Sequence, residues 1–135
     1  MTPEDRERFA AAPVARLATV RPDGRPHLVP VVFALAGEVV WTAVDEKRKR
    51  TRRLQRLRNI EANPAVSLLV DHYEADWSRL WWVRLDGRAA VHQLEDDGAE
   101  PGLVALKEKY GQYELRPPRG PLIRIEADAW HSWQP

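Results

Sequence analysis

Short apolar runs rich in β-branched residues recur along this chain, and most of them are bounded by glycine, proline or asparagine. They cover residues 14–20, 27–35, 39–44, 65–73, 80–94 and 121–130. Runs of this length and composition between turn-forming residues are typical of β-strands. The sequence therefore predicts six strands, with a hairpin turn at Asp23-Gly24 and either a bulge or a tight bend at Asp86-Gly87.

Three other stretches predict helices. Thr2, followed by Pro3 and Asp5, has the composition of a helix N-terminus and predicts a short helix before Pro13. Two later helices have an apolar stripe at helical spacing, formed by Leu54, Leu57 and Ile60 in one and by Leu103, Leu106 and Tyr110 in the other. The pattern predicts a mainly β (α+β) fold, a six-stranded closed or split β-barrel with flanking helices, forming a single domain over residues 1–135.

The overall composition narrows the functional classes. Twenty-one Lys and Arg against twenty Asp and Glu leave a net charge of +1, which argues against a general nucleic-acid binder. The absence of cysteine excludes a disulfide, a thiolate zinc site and a cysteine nucleophile, and it fits a reducing compartment. No apolar run approaches the length of a membrane span. We therefore expect a cytoplasmic protein with no nucleic-acid partner and no membrane span.

Residues 39–64 join a predicted buried strand to a helix whose first turns are rich in bases. Six of the seven residues 47–53 are Lys or Arg. The helix dipole favours acids at a helix N-terminus, so bases there are the opposite of what helix stability requires. Exposed N–H groups beside a basic cluster instead suit a phosphate. A solvated helix face and a nucleic-acid patch are the alternatives.

Other chemistry has little support in the sequence. The four histidines are scattered without metal-ligand spacing, so no metal site is expected. Asp71 and Asp86 are isolated acids, and no Ser-His-Asp arrangement or phosphate-loop motif is present. His72 and Tyr73, at the end of a predicted strand, are weak candidates for a catalytic acid, and solvated strand-end residues are the alternative.

Four segments in order carry a family resemblance: Asp23-Gly24-Arg25-Pro26, Pro30-Val31-Val32-Phe33, the basic residues 47–51, and residues 59–66 with the pattern Asn-x-x-x-Asn-Pro-x-Val. Together they resemble the pyridoxamine-phosphate-oxidase-like flavin split-barrel superfamily. The stretches DEKRKRT and DHYEADWSRLWWVRLDG are most similar to its actinobacterial branch of F-420-dependent enzymes. Those enzymes use the 8-hydroxy-5-deazaflavin coenzyme F-420 instead of FMN.

The resemblance implies a homodimer with a cofactor cleft at the subunit interface. The ring is expected against the backbone of two strands, and the phosphate at the basic segment, with surplus bases such as Arg52, Arg53 and Arg56 meeting the carboxylates of the coenzyme tail. The residues implied in ring contact are Pro30, Val31, Val32, Phe33, Thr42, Ala43 and Val44, and those implied in phosphate binding are Lys47, Arg48, Lys49, Arg50 and Thr51.

Two departures from the FMN-binding members favour F-420 and leave FMN as the second choice. Those members typically have Ser-Arg-Lys at the phosphate loop, where this chain has Glu46-Lys47-Arg48, and they have an arginine on the second strand that is missing here. The implied activity is hydride transfer between the deazaflavin and a flat, apolar acceptor, with the proton from Tyr73, His72 or solvent. An FMN-dependent oxidase and a non-catalytic F-420 carrier are the alternatives.

The tryptophans give a further expectation. Trp77, Trp81 and Trp82 favour packing or an interface over ring stacking, and Trp77 is also a candidate for cofactor contact. Trp130 and Trp133 lie near the C-terminus, where superfamily members reach the cofactor of the partner subunit.

Overall fold

A computed structural model describes residues 1–44 and 54–135. The helices are α1 (Pro3–Ala11), α2 (Gln55–Ala62), α3 (Glu100–Lys109) and α4 (Gly111–Leu115), and the strands are β1 (Ala15–Val20), β2 (Pro26–Val31), β3 (Phe33–Ala36), β4 (Val39–Ala43), β5 (Ala65–His72), β6 (Trp81–His92) and β7 (Leu122–Trp133). Short 3₁₀ turns occupy Trp77–Arg79 and Asp97–Ala99.

The described strands form one antiparallel sheet of seven strands in the order β2-β1-β5-β6-β7-β4-β3. β2 and β3 lie at opposite edges of this order, yet only Val32 separates them in the chain. The sheet must therefore curl until its two edges approach each other, which gives a half-barrel. The mainly β fold is confirmed, whereas the predicted count of six strands is wrong.

The extra strand arises because the predicted strand 27–35 is interrupted at Val32. The interruption leaves backbone groups that side chains satisfy. The hydroxyl of Thr42 donates to the carbonyl oxygen of Val32 at 2.6 Å, and the N–H of Phe33 donates to the hydroxyl of Tyr110 at 3.1 Å. Val32 is as β-prone as its neighbours, so composition alone could not show that the chain changes sheet edge here.

Both glycine signals have a structural reason. Gly24 has φ +89° in the turn between β1 and β2, which confirms the predicted hairpin. In β6, Asp86 pairs with Ala129 whereas Gly87 pairs with Ala127, so one residue of β7 is left over. The alternative of a bulge, rather than a tight bend, is thus the correct one at Asp86-Gly87.

Two apolar clusters hold the sheet and helices together. One fills the inside of the curled sheet, and the other lies between the outer face of β3 and β4 and helix α3. β4 contributes to both, with Val40 inside and Trp41 under α3. Leu57 and Ile60 of α2 are buried in the first cluster, as the helical stripe predicts. Burial on both faces explains why β4 has a nearly continuous apolar sequence.

Helix α2 begins later than predicted. Leu54 has extended backbone angles, with φ −63° and ψ 148°, and the helix starts at Gln55, after the basic run. Residues 47–51, and with them the predicted phosphate contacts, lie outside the described part of the chain. Their role therefore stays a prediction. Helix α4 was not predicted, because residues 111–115 have no apolar periodicity long enough to indicate a helix.

The Asn-x-x-x-Asn-Pro pattern has a structural role. Asn59 is fully buried, donates from Nδ2 to the hydroxyl of Thr19 at 2.9 Å and accepts from Nε2 of Gln55 at 2.7 Å. Asn63 ends α2 and accepts from the N–H of Ala65 at 3.1 Å. These bonds tie α2 to β1 and start β5, so the pattern fixes the position of α2 on the sheet.

Candidate functional site

The two backbone segments predicted to contact a cofactor ring are brought together. Phe33 pairs with Thr42 between β3 and β4, and the hydroxyl of Thr42 bonds the carbonyl of Val32. The side chains of Val31, Phe33, Thr42, Ala43 and Val44 are buried in the protein. These five can therefore offer a ligand mainly backbone atoms, whereas Pro30 is exposed and Val32 is half-buried.

A cavity of about 960 Å³ opens beside Val32. This volume lies within the range of small-molecule sites, which is about 300–1,000 Å³. Two arginines and no carboxylate line it among the described residues, together with apolar, tyrosine and glutamine side chains: Pro13, Val32, Tyr110, Gln112, Tyr113, Leu115, Arg116, Pro117 and Arg119. The cavity thus combines an apolar wall with positive charge.

Tyr110 fixes one wall of this cavity to the sheet. Its hydroxyl lies 2.9 Å from the carbonyl oxygens of both Pro13 and Phe33, and its single proton can go to either. Burial raises the pKa of Tyr110 despite its hydrogen bond to Phe33, so the phenol is neutral at physiological pH. The ring of Tyr113 meets it edge-on, with 5.9 Å between ring centroids. The Tyr110 hydroxyl therefore acts as a structural hydrogen-bonding group.

Lys109, which precedes Tyr110, packs against Phe33 of strand β3. Its Nζ lies 3.7 Å from the centroid of the Phe33 ring, and it has no hydrogen-bond partner within the described chain. Burial lowers the pKa of Lys109 to about 8. The favourable cation–π contact with Phe33 compensates part of the cost of burying the amino group.

The weak catalytic candidates lie on a different part of the sheet. Tyr73 lines a smaller cavity of about 270 Å³ with Leu69, Asp71, Trp82 and Arg84. His72 contacts the carboxylate of Glu74 and stacks on Trp81 at 6.3 Å between ring centroids. Neither lines the larger cavity beside Val32. Their proposed part in catalysis gains no support from their contacts within one chain.

The predicted tryptophans occupy three environments. Trp77 is 77% exposed in the turn between β5 and β6, and neither strand neighbours β3 or β4 in the sheet. Trp130 packs edge-on against Phe9, with 4.9 Å between ring centroids, whereas Trp133 is exposed. Within one chain, the strands on either side of Trp77 are therefore not adjacent to the strands predicted to contact the ring.

The two acids expected to be isolated are held in ion pairs. Asp71 accepts from Arg16 at 3.0 Å. Asp86 accepts from Arg84 at 2.9 Å and from the hydroxyl of Ser67 at 2.7 Å, and Nε2 of His131 lies 3.5 Å from its Oδ2. The order Ser67–Asp86–His131 puts the acid between the hydroxyl and the imidazole, so the base that a catalytic serine needs is missing. No group of metal-ligating side chains occurs in residues 1–44 and 54–135.

The residues that sequence reasoning missed are those of the Leu115–Arg119 side of the cavity. The apolar and basic patterns of the sequence assign no role to the two arginines of this proline-rich segment after α4. The signal that could have found them is the spacing Arg-Pro-Pro-Arg, because two prolines hold two bases in a restricted geometry.

The sequence of residues 1–134 matches the family described as pyridoxamine 5'-phosphate oxidase. The chain belongs to this family. No curated protein matches the chain significantly. The family resemblance predicted from the four sequence segments is confirmed. A separate finding is that no described helix is long and apolar enough to cross a membrane.

The chain is similar to solved structures of the same fold that have different descriptions. The conserved hypothetical protein Rv2991 from Mycobacterium tuberculosis is 22% identical, with a TM-score of 0.77 over 99% of this chain and 85% of its own. The heme storage protein HutZ from Vibrio cholerae is 20% identical, with a TM-score of 0.75 over 98% and 92%. A structure named F420 reductase is 25% identical, with a TM-score of 0.70 over 97% and 98%.

Proposed function

We propose that this protein is an F-420-dependent oxidoreductase that exchanges a hydride between the deazaflavin and a flat, largely apolar acceptor. The observation that carries the proposal is the pairing of β3 with β4 beside the cavity at Val32, because this pairing forms a backbone platform next to a space of ligand size. Membership of the pyridoxamine 5'-phosphate oxidase family and the likeness to an F420 reductase support a cofactor of the flavin type.

The residues present fit such a cofactor. Apolar and aromatic side chains beside an accessible strand suit a flat ring, and the basic run at 47–53 suits a phosphate with an anionic tail. This run joins two well-packed anchors, because Val44 before it is fully buried and Leu57 after it is 1% exposed. Ring platform and bases are thus close in the chain.

The contribution of the protein itself is orientation. When bound, the deazaflavin supplies two-electron hydride chemistry. The backbone of Pro30–Phe33 and of Thr42–Val44 would orient the ring, and Val32 and Tyr113 would exclude water from the acceptor side. The Tyr110 hydroxyl donates its proton in a hydrogen bond to a backbone carbonyl oxygen. Solvent is therefore the simplest source of the proton that completes reduction of the acceptor.

The sensitive test is a pair of fluorescence titrations with F-420 and with FMN. We expect F-420 to bind in the micromolar range or tighter and FMN to bind more weakly, since the FMN-type Ser-Arg-Lys loop is replaced by Glu46-Lys47-Arg48. Tighter binding of FMN would reverse the assignment and favour an FMN-dependent oxidase.

The same complex distinguishes an enzyme from a carrier. F-420 reduced with deuterium at C5 should be reoxidised when quinones or conjugated enones are added. With an enone the deuterium should appear at the β-carbon of the product, where it does not exchange with water. Binding without reoxidation by any acceptor would favour the non-catalytic carrier, and an enone product without deuterium would contradict direct hydride transfer.

We also propose a homodimer that forms through the outer sheet face, the exposed side of β1, β2, β5 and β6. This face exposes Leu28, Tyr73 and, at the end of β7, Trp133, and Leu69 and Trp82 line the smaller cavity on it. Exposed apolar side chains in such numbers on one face are typical of an interface. Pro30 is exposed on β2 as well, so a partner there would lie beside the predicted cofactor strand.

Light scattering at micromolar concentration should give the mass of two chains. Leu28→Asp is expected to shift the protein towards one chain, because a desolvated carboxylate in an apolar interface is costly. Leu115→Asp, the same substitution on α4, serves as the control and should leave the dimer intact. A wild-type mass of one chain would contradict both the dimer and a cleft shared between subunits.

A further inference from the structure

The wall of the larger cavity that faces Val32 is built from α4 and the loop after it. Leu115, at the end of α4, is 87% exposed although it is a large apolar residue. Arg116 and Arg119 are exposed beside it, and neither forms an ion pair with any described residue. Two arginines with no carboxylate among the described lining residues attract anions, since no described side chain of the wall neutralises their charge.

The loop that carries these arginines is anchored at both ends. At its start, the N–H of Arg116 donates to the carbonyl of Gln112 at 2.8 Å. At its end, the N–H of Val44 donates to the carbonyl of Pro121 at 3.1 Å, and Gly120 packs so closely that an added Cβ would lie 2.3 Å from the oxygen of Val44. Both ends of the loop are therefore fixed to the folded chain.

Pro117 and Pro118 restrict the backbone between the two arginines. Each proline fixes its own φ, and each also restricts the residue before it to extended conformations. Arg116 has φ −135° and ψ 86°, which lies outside the helical region that a following proline disfavours. A ligand that bridges the two guanidinium groups would thus lose little backbone entropy on binding, which favours affinity.

We propose that this cavity binds a small organic anion, with its carboxylate or sulfonate between Arg116 and Arg119 and its apolar body against Val32, Tyr113 and Leu115. Arginine suits such a group because its planar guanidinium pairs with two oxygens at once. If the protein is the oxidoreductase proposed above, this cavity gives the acceptor an anionic group in addition to its flat body. Anion binding itself does not depend on that function.

The probe is a pair of matched dyes that differ by one charge. Anilinonaphthalene sulfonate has a flat apolar body with a sulfonate, and phenylnaphthylamine is the same body without it. Both gain fluorescence in an apolar cavity. Titrations of the purified protein without cofactor should show the sulfonate dye binding at least about tenfold more tightly than the neutral one.

Two variants assign the charge and the apolar part separately. Arg116→Gln with Arg119→Gln should weaken the sulfonate dye at least about tenfold and leave the neutral dye unchanged. Leu115→Asn should weaken both dyes, because it removes apolar wall and keeps both arginines. Arg25→Gln with Arg88→Gln removes two exposed bases elsewhere and should change neither dye, which controls for net charge.

Three results would overturn the inference: unchanged binding of the sulfonate dye to the Arg116/Arg119 variant, an equal loss of both dyes in that variant, and an equal loss of the sulfonate dye in the net-charge control. Circular dichroism of each variant checks that the fold is retained. F-420 titrations of the wild-type protein and of the same variants separate the two proposals. If the wild-type protein binds the sulfonate dye through Arg116 and Arg119 but does not bind F-420, this inference is kept and the proposed function is lost.

Discussion

Replacing Gly87 by alanine is expected to lower the free energy of unfolding by about 3 kcal/mol. The added methyl group would lie 2.1 Å from the carbonyl oxygen of Glu126 and 3.0 Å from Cδ2 of Leu85. The first of these contacts is with backbone of the neighbouring strand β7, which cannot move away as a side chain could. Urea unfolding followed by tryptophan fluorescence, at one fixed chain concentration, measures the effect.

The position of Gly87 explains why relaxation is costly. It lies where the register between β6 and β7 shifts by one residue, so the strands approach each other unevenly there. A shift of β7 away from the methyl group would disturb the pairs on both sides, including Asp86 with Ala129. The bulge and the glycine are thus one structural feature.

Gly111→Ala provides the matched control. It is the same substitution at the start of α4, where an added Cβ would meet no atom of residues 1–44 and 54–135 within 4 Å, and its φ is not positive. The control should leave stability unchanged or raise it slightly, since alanine is the better helix former. Equal stability of the Gly87 and Gly111 variants would show that the bulge tolerates a side chain and that the close approach has no energetic role.

The features predicted correctly from sequence are those that local chemistry decides. The hairpin at Gly24 needs a positive φ, and the N-cap of α1 needs a short polar side chain, which Thr2 supplies by accepting from the N–H of Asp5 at 3.0 Å. The apolar stripe of α2 follows from the same kind of local periodicity, because Leu57 and Ile60 must share a face. In each case the deciding residues lie within a few positions of one another.

The strand break at Val32 depends on residues far away in the chain. The hydroxyl groups that satisfy it come from Thr42 and Tyr110, and Tyr110 is 77 positions from Phe33. No pattern within the run 27–35 encodes such partners. The strand count was wrong for this reason, although the number of β-forming residues was nearly right.

The candidate site shows the same division. The strands that are predicted to contact a ring could be proposed from a family resemblance, because the Pro-Val-x-Phe segment is local. The cavity beside Val32 combines Pro13 with residues of α3, α4 and the loop after α4, which only the folded chain brings together. In the sequence only the Arg-Pro-Pro-Arg spacing distinguishes Arg116 and Arg119, and their place in the wall of a partly apolar cavity is seen only in the folded chain.

Replacing Lys49 and Arg50 together by alanine is expected to weaken F-420 binding about 100-fold or more. A charge-assisted hydrogen bond contributes about 1.5–3 kcal/mol, and the predicted phosphate contacts include one from each residue. Two such losses exceed about 3 kcal/mol, which is a factor of about 100 in the dissociation constant. The measurement is a fluorescence titration of wild-type and variant proteins at the same ionic strength.

Salt and a matched variant separate a specific phosphate contact from general attraction. Arg25→Ala with Arg88→Ala removes the same two charges from exposed positions in the β1–β2 turn and on β6, and it should change F-420 affinity by less than about threefold, because screened charges at a distance contribute little. Raising the ionic strength should weaken wild-type binding more than that of the Lys49/Arg50 variant, which has lost the charges that salt screens.

Equal losses in both double variants would mean that F-420 responds to net charge alone, and unchanged binding in the Lys49/Arg50 variant would place the phosphate elsewhere. Among the described bases, Arg116 and Arg119 would then be the first to test, since they line a cavity that has no carboxylate among its described residues.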